Sequence, residues 1–111
     1  METPRLPASL EVSGLVRSTG AAGGFAMVLH KGEPDAGTIL VVGVDRDGLG
    51  TLYERLPDPT GPRRWVAVRQ QQADSRAAFD DYLDRRVQQD PDVWIIELTV
   101  ADDERSILNP C

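Results

Sequence analysis

Cysteine and histidine, the residues that most often build metal and redox sites, are almost absent from this chain. Among 111 residues there is one cysteine, Cys111, and one histidine, His30. A single terminal thiol cannot close an intrachain disulfide, and one histidine leaves too few soft ligands for a structural metal. We therefore predict that the chain carries no metal and no cofactor.

Long apolar runs are also missing. The longest unbroken aliphatic or aromatic stretches, Ile39–Val42 and Val93–Ile96, are far shorter than the ~20 residues of a membrane-spanning helix. The first residues lack the basic and then apolar pattern of a signal peptide. Together with the scarcity of cysteine, these features predict a cytoplasmic protein that does not associate with membranes.

Basic residues are in the minority: 12 lysines and arginines stand against 18 aspartates and glutamates, for a net charge of −6. An acidic surface repels phosphate backbones at long range, so nucleic acid is not an expected partner. The chain also lacks a glycine-rich phosphate loop and a nucleophile elbow. Catalysis by histidine would depend on His30 alone.

The chain instead contains a series of short segments with the apolar patterns of strands. One later segment repeats its apolar residues every three or four positions, as a helix does. Alternation predicts strands at residues 9–13, 25–30, 51–56 and 65–69, and short continuous apolar runs predict strands at residues 38–44 and 93–100. Spacings of three and four residues in an apolar stripe predict a helix over Asp74–Gln89, with Asp74 or Ser75 as its cap. The stripe consists of Ala78, Phe79, Tyr82, Leu83 and Val87. Asp102–Leu108 fits a short terminal helix capped by Asp102. The prolines of Pro57–Pro62 predict a segment through which no strand runs.

These elements predict an α+β fold, with a mainly antiparallel sheet of five or six strands, one long helix packed on it and a short C-terminal helix. The length suits one domain, which we place at residues 8–108 after a flexible N-terminus at residues 1–7. The predicted core consists of Ile39, Val41, Val66, Val68, Leu83, Ile95 and Ile96.

Two of the predicted strands, at residues 38–44 and 93–100, are apolar on both faces. One long helix covers only part of one sheet face, so we expect some apolar side chains to remain for a second chain. The residues expected at such a contact are Leu40, Val42, Trp94 and Ile96.

The first candidate site is the turn-rich segment around His30, Glu33 and Asp35. An imidazole and two carboxylates are ligand types that zinc or manganese accepts, and with an arginine they could also support hydrolysis. The alternative interpretation is a polar turn whose residues serve backbone geometry.

Two further groups of charged residues are candidates. Arg64, Trp65 and Arg69 could bind an anionic group or stack on a base, with Trp65 and Arg69 on one face of a strand. Alternatively, these arginines balance nearby acids and shield Trp65. In the helix, Asp80, Asp81 and Asp84 form an acidic set. Asp80 and Asp84 share a helical face and could bind a cation, or they form a solvated surface.

Several segments stand out together: Ala21–Ala26, His30–Gly37, Arg64–Val66, Phe79–Leu83 and Gln89–Trp94. They resemble a family of small bacterial proteins catalogued as a domain of unknown function, family 1491. The resemblance extends from about Leu6 to Ile107. No activity is assigned to that family, so the resemblance implies a one-domain protein and no catalytic residue.

Two classes of function remain. The first is a non-catalytic module that binds a protein partner or a second copy of itself. The alternative is a small-ligand-binding protein or hydrolytic enzyme that uses His30 with Glu33 or Asp35 and an arginine. We favour the first class, because every polar residue has an adequate structural explanation. Convergence of His30, Arg64 and the carboxylates on one pocket would favour the second.

Overall fold

The computed structural model describes residues 6–100 and 105–108, which form one mixed sheet with helices on both faces. In chain order the elements are α1 (Ala8–Ala21), β1 (Phe25–His30), β2 (Ile39–Val44), β3 (Gly50–Asp58), β4 (Gly61–Gln70), α2 (Arg76–Gln89), β5 (Trp94–Thr99) and α3 (Arg105–Leu108). The α+β class is confirmed. Asp102, the predicted cap of the terminal helix, lies outside the described residues, as do residues 1–5 of the predicted N-terminal segment.

The sheet has the strand order β1-β5-β2-β3-β4, with β2 at its centre. The prediction of a mainly antiparallel sheet is correct for three of the strand pairs, but β2 and β5 run parallel, so the sheet is mixed. Parallel neighbours need a long crossover connection. Here the chain from β4 crosses the sheet through α2 and inserts β5 between β1 and β2.

Residues 9–13 are helical, so the strand predicted there is wrong. They belong to α1, which buries Ala8, Val12 and Thr19 at helical spacing. The first amides of α1 have no partner within the helix, and a loop supplies one: Ala8 N–H donates to the Asp35 carbonyl and Ser9 N–H donates to the Pro34 carbonyl. This tertiary cap replaces the side-chain cap that α1 lacks.

Helix α2 is the helix predicted from apolar residues spaced three and four positions apart, although it begins at Arg76 rather than Asp74. Ser75 occupies the cap position without a side-chain hydrogen bond to the helix. Phe79 and Leu83 are buried against the sheet, and the helix ends at Gln89, before Pro91. Ala78, which belongs to the predicted apolar stripe, is exposed.

Shortening a buried side chain of α2 gives a first prediction. Leu83→Ala should lower the free energy of unfolding by about 2 kcal/mol, at the low end for a leucine because the side chain borders open space. Arg85→Ala, on the exposed side of α2, should change it by less than about half a kcal/mol. Urea denaturation of the two variants measures the difference. Equal losses would mean that α2 does not pack through Leu83.

The strands extend into the proline-rich segment Pro57–Pro62 further than predicted, although no strand runs through the whole of it. Strand β3 continues to Asp58, and β4 begins at Gly61. The register shifts between Leu56 and Asp58, so Pro57 falls at an irregularity of the ladder. Pro62 lies in the edge strand β4. Both positions are ones that tolerate a residue without an N–H.

The core lies on both faces of the sheet. Ile39, Val41 and Ile96 pack with α1 and α3 on one face, and Leu83 and Ile95 belong to the cluster on the α2 face. These five predicted core residues are buried. Val66 and Val68 are not buried; they lie on the edge strand β4, and each is 41% exposed.

The expected contact residues for a second chain, Leu40, Val42, Trp94 and Ile96, are all buried within the chain. Trp94 and Ile96 pack in the cluster with α1, a helix that the sequence did not predict, and Leu40 and Val42 pack in the cluster with α2. None of the helices in the described ranges is both long and apolar enough to cross a membrane.

Candidate functional site

The edge strand β1 leaves an apolar strip on the α2 face of the sheet. Phe25 and Met27 lie opposite Thr99 and Glu97 of β5, and directly opposed residues of antiparallel strands share a face. Phe25 is 59% exposed, Met27 50% and Leu29 45%. We call these three residues the β1 strip. Val28, on the other face of β1, is also exposed, and at the opposite side of the sheet so are Leu56 of β3 and Val66 and Val68 of β4.

A β-bulge ends the strip. The register of β1 against β5 shifts between Val28 and His30. Leu29 and His30 both line a cavity with residues of α2, so the bulge directs the two side chains to the same face. His30 Nδ1 lies 2.7 Å from the Val93 carbonyl. Because a carbonyl can only accept, Nδ1 carries the proton of this hydrogen bond.

Three polar contacts hold α2 on the other half of the sheet. Arg76 donates to the carbonyls of Asp47 and Gly48 in the β2–β3 loop. Arg86 pairs with Glu54 of β3 at 3.0 Å, and this hydrogen bond raises the pKa of Arg86 above its ordinary value. On β4, the guanidinium of Arg69 lies 4.0 Å from the centre of the Tyr82 ring. These contacts draw α2 toward β3 and β4, and the β1 strip is left uncovered.

Between α2 and β1 runs an open groove made of two adjoining cavities, of about 490 Å³ and about 270 Å³. Leu29, Asp80 and Leu83 line both cavities. We call this feature the α2–β1 groove. Its floor is apolar, from Leu29, Leu83, Val87 and Ile95. Carboxylates border it, from Asp80, Asp84 and Glu97.

The first predicted site does not assemble. His30 lines the α2–β1 groove, whereas Asp35 lines a separate cavity beside the start of α1. The Glu33 carboxylate accepts hydrogen bonds from the N–H groups of Asp35 and Ala36, so it stabilises its own turn. In the part of the chain that the structure describes, no three side chains from His, Cys, Asp and Glu form a group that could hold a metal.

The segment between β1 and β2 instead wraps around Trp94. The indole N–H donates to the Glu33 carbonyl at 2.8 Å. Gly32 and Gly37 both face this ring, and a Cβ built on Gly32 would lie 2.1 Å from the Asp92 carbonyl oxygen and 2.7 Å from Trp94 Cδ1. Since such distances are far below van der Waals contact, only glycine fits there.

The close approach at Gly32 leads to a second prediction. Gly32→Ala should lower the free energy of unfolding by about 2 kcal/mol, because the backbone must move to admit the methyl group. Gly61→Ala is the control, since a Cβ at Gly61 meets nothing within 4 Å. Thermal unfolding of both variants checks this. A Gly32→Ala variant as stable as the wild type would show that the segment does not pack tightly on Trp94.

The predicted basic site is divided between the two sheet faces. Trp65 packs against the α1-side core, under the guanidinium of Arg55 at 5.0 Å. Arg69 stacks on Tyr82 on the opposite face. The reason is a register shift: Trp65 pairs with Arg55 and Ala67 with Tyr53, but Arg69 pairs with Leu52. The extra residue reverses the alternation, so the predicted shared face of Trp65 and Arg69 is wrong.

The basic strand also lies far from the groove. Strands β1 and β4 are the two edges of the sheet, separated by four interstrand spacings or about 19 Å. Arg64 is exposed on β4 and therefore does not converge with His30. Of the acidic set, Asp80 and Asp84 line the groove, whereas Asp81 is exposed and does not.

The sequence reasoning missed the β1 strip as a site. The alternation of the predicted strand at residues 25–30 places Phe25, Met27 and Leu29 on one face, and this alternation is the available signal. What the alternation does not reveal is that β1 is an edge strand and that α2 stops short of it.

A sequence profile described as "Protein of unknown function (DUF1491)" matches residues 6–108. The chain belongs to the DUF1491 family. Two solved structures of a DUF1491 family protein from Caulobacter crescentus share its fold. The crystal structure is 33% identical, covers 95% of this chain and 96% of the other, and has a TM-score of 0.79. The NMR structure is 30% identical, covers 96% of each chain and has a TM-score of 0.75.

A solution structure of a protein from A. tumefaciens is also similar, with 32% identity, coverage of 95% of this chain and 93% of the other, and a TM-score of 0.72. No curated protein matches the chain. Membership of DUF1491 confirms the resemblance seen in the sequence and brings no assigned activity. For this DUF1491 chain, function must be argued from the geometry of the groove.

Proposed function

We propose that this protein is a non-catalytic protein-binding module that acts in the bacterial cytoplasm and docks a partner over the β1 strip and the α2–β1 groove. The observation that carries the proposal is the exposure of three apolar side chains on one face of the edge strand β1, Phe25, Met27 and Leu29. Contiguous exposed apolar surface with a polar rim is typical of protein interaction sites.

The other sheet edge offers a weaker surface. Strand β4 also exposes Val66 and Val68, but Arg63, Arg64 and Arg69 lie on the same strand. Charged side chains on an edge strand oppose association. From Phe25 to Leu29, β1 carries no charged residue. The strip on β1 is therefore the better docking surface.

Binding accounts for the polar residues better than catalysis does. The three members of the alternative hydrolytic site have structural contacts or lie apart: His30 bonds the Val93 carbonyl, Glu33 caps its own turn, and Asp35 lines another cavity. The docking proposal needs none of them to react.

Site-specific photo-crosslinking in the native host tests the proposal. Benzoylphenylalanine at Met27 should give a discrete adduct with one protein, whereas the same residue at Val66, which is exposed on the other edge, should not. The protein found in the adduct, once purified, should bind the unmodified chain in calorimetry with one site. No adduct at Met27, or the same adducts from both positions, would refute docking at this edge.

A further inference from the structure

The charges around the α2–β1 groove define its partner further. Asp80, Asp84 and Glu97 line the two cavities, and no lysine or arginine of the described residues does. Of the nearby cations of α2, Arg86 pairs with Glu54, and Arg76 donates to the carbonyl of Gly48, a residue that lines the smaller cavity. The groove thus combines an apolar floor with three carboxylates at its rim.

A second copy of this chain does not suit such a surface. Symmetric pairing over the groove would bring two rims of Asp80, Asp84 and Glu97 together, on chains that each carry a net charge of −6. Juxtaposed like charges disfavour a complex, whereas complementary charges steer the correct partner into place.

The position of the strip also constrains the shape of the partner. A strand added beyond β1 would extend the sheet, but it would leave Phe25, Met27 and Leu29 without cover. An element lying on the face, beside α2, buries them. In proteins with a sheet between helices, a helix occupies that position, packed about 8–10 Å from its neighbouring helix.

We infer that the α2–β1 groove binds a basic amphipathic helix of another protein. Its apolar face covers the β1 strip, and its lysines or arginines pair with Asp80, Asp84 and Glu97. This inference rests on the proposed function and specifies the chemistry of the docking partner.

The test uses three synthetic 18-residue peptides titrated into the isotopically labelled chain by NMR. One carries leucine and lysine at helical spacing, one replaces every lysine by glutamate, and one has the leucine–lysine composition in scrambled order. The amphipathic leucine–lysine peptide should bind at least roughly 10-fold more tightly than either of the others. Its largest amide shifts should fall on β1 and on residues 80–88 of α2.

A double variant tests the role of the rim. Asp80→Asn with Asp84→Asn should weaken binding of the leucine–lysine peptide roughly 5- to 10-fold, the effect of losing two partly exposed ion pairs. The matched control is Asp81→Asn with Asp74→Asn, which removes two exposed acids that do not line the groove. The control should leave the affinity unchanged.

The inference fails if the leucine–glutamate or the scrambled peptide binds as tightly as the amphipathic leucine–lysine peptide, or if none binds. It also fails if the shifts map outside the groove. In each case a discrete adduct at Met27 would still support docking, so failure of the helix inference and failure of the proposed function are distinguishable.

Discussion

Replacing Val12 by aspartate is expected to lower the free energy of unfolding by about 4–5 kcal/mol, a large part of the total for a domain of this size. Val12 is 5% exposed and lies in the core between α1 and the sheet, with Ile39, Val41 and Ile96 in the same cluster. A carboxylate there loses its hydration and gains no cationic partner. Urea denaturation followed by tryptophan fluorescence measures the loss.

Leu10→Asp is the matched control. Leu10 is two residues away and 55% exposed, so its replacement should change the free energy of unfolding by less than about half a kcal/mol. The pair distinguishes the helix from the strand that alternation predicted, because Leu10 and Val12 would share a face in a strand. Similar losses from both substitutions would contradict α1.

Helix α1 shows why local pattern was insufficient at this end of the chain. Ala8, Val12, Leu15 and Thr19 recur at helical spacing, which was a readable signal, but Leu10 and Val12 gave a competing alternation over five residues. Gly14 and Gly20 lower the intrinsic helix propensity. The helix is stabilised by packing on the sheet and by the carbonyls of Pro34 and Asp35, and neither contact can be read from residues 8–21 alone.

Elements whose stabilising contacts are local were predicted well. Strand β2 was predicted as apolar on both faces, and it is buried at the centre of the sheet. The turn residues between β1 and β2 do form a turn. The parallel pairing of β2 with β5 depends on a crossover of more than twenty residues. The position of Arg69 on the sheet face opposite Trp65 depends on a register shift of β4 against β3. Both are long-range properties that an alternation pattern does not encode.

The candidate site was predictable only in its parts. Sequence spacing placed Asp80 and Asp84 on one helical face and Phe25, Met27 and Leu29 on one strand face. Their association in a groove depends on where α2 lies across the sheet. The contacts of Arg69 with Tyr82, Arg76 with Asp47 and Arg86 with Glu54 decide that position. In each contact the two residues are at least 13 positions apart in the sequence.

The second large effect is expected on binding. Phe25→Thr with Met27→Thr should weaken affinity for the partner identified by crosslinking at least roughly 100-fold, because central apolar contacts dominate most interfaces. Threonine retains strand propensity, and both positions are exposed, so the fold should be preserved. Unchanged circular dichroism and thermal unfolding verify this. The substitutions add no charge, so the loss reports apolar contact alone.

Isothermal titration calorimetry of that partner with the wild-type chain, the Phe25→Thr/Met27→Thr variant and a Val66→Thr/Val68→Thr variant is the most direct measurement of docking at β1. The third protein makes the matched change on the opposite, similarly exposed edge. We expect wild-type affinity to be retained within about threefold in the β4 variant and lost at least roughly 100-fold in the β1 variant. Equal affinity for all three proteins, or a loss only in the β4 variant, would contradict docking over the β1 strip.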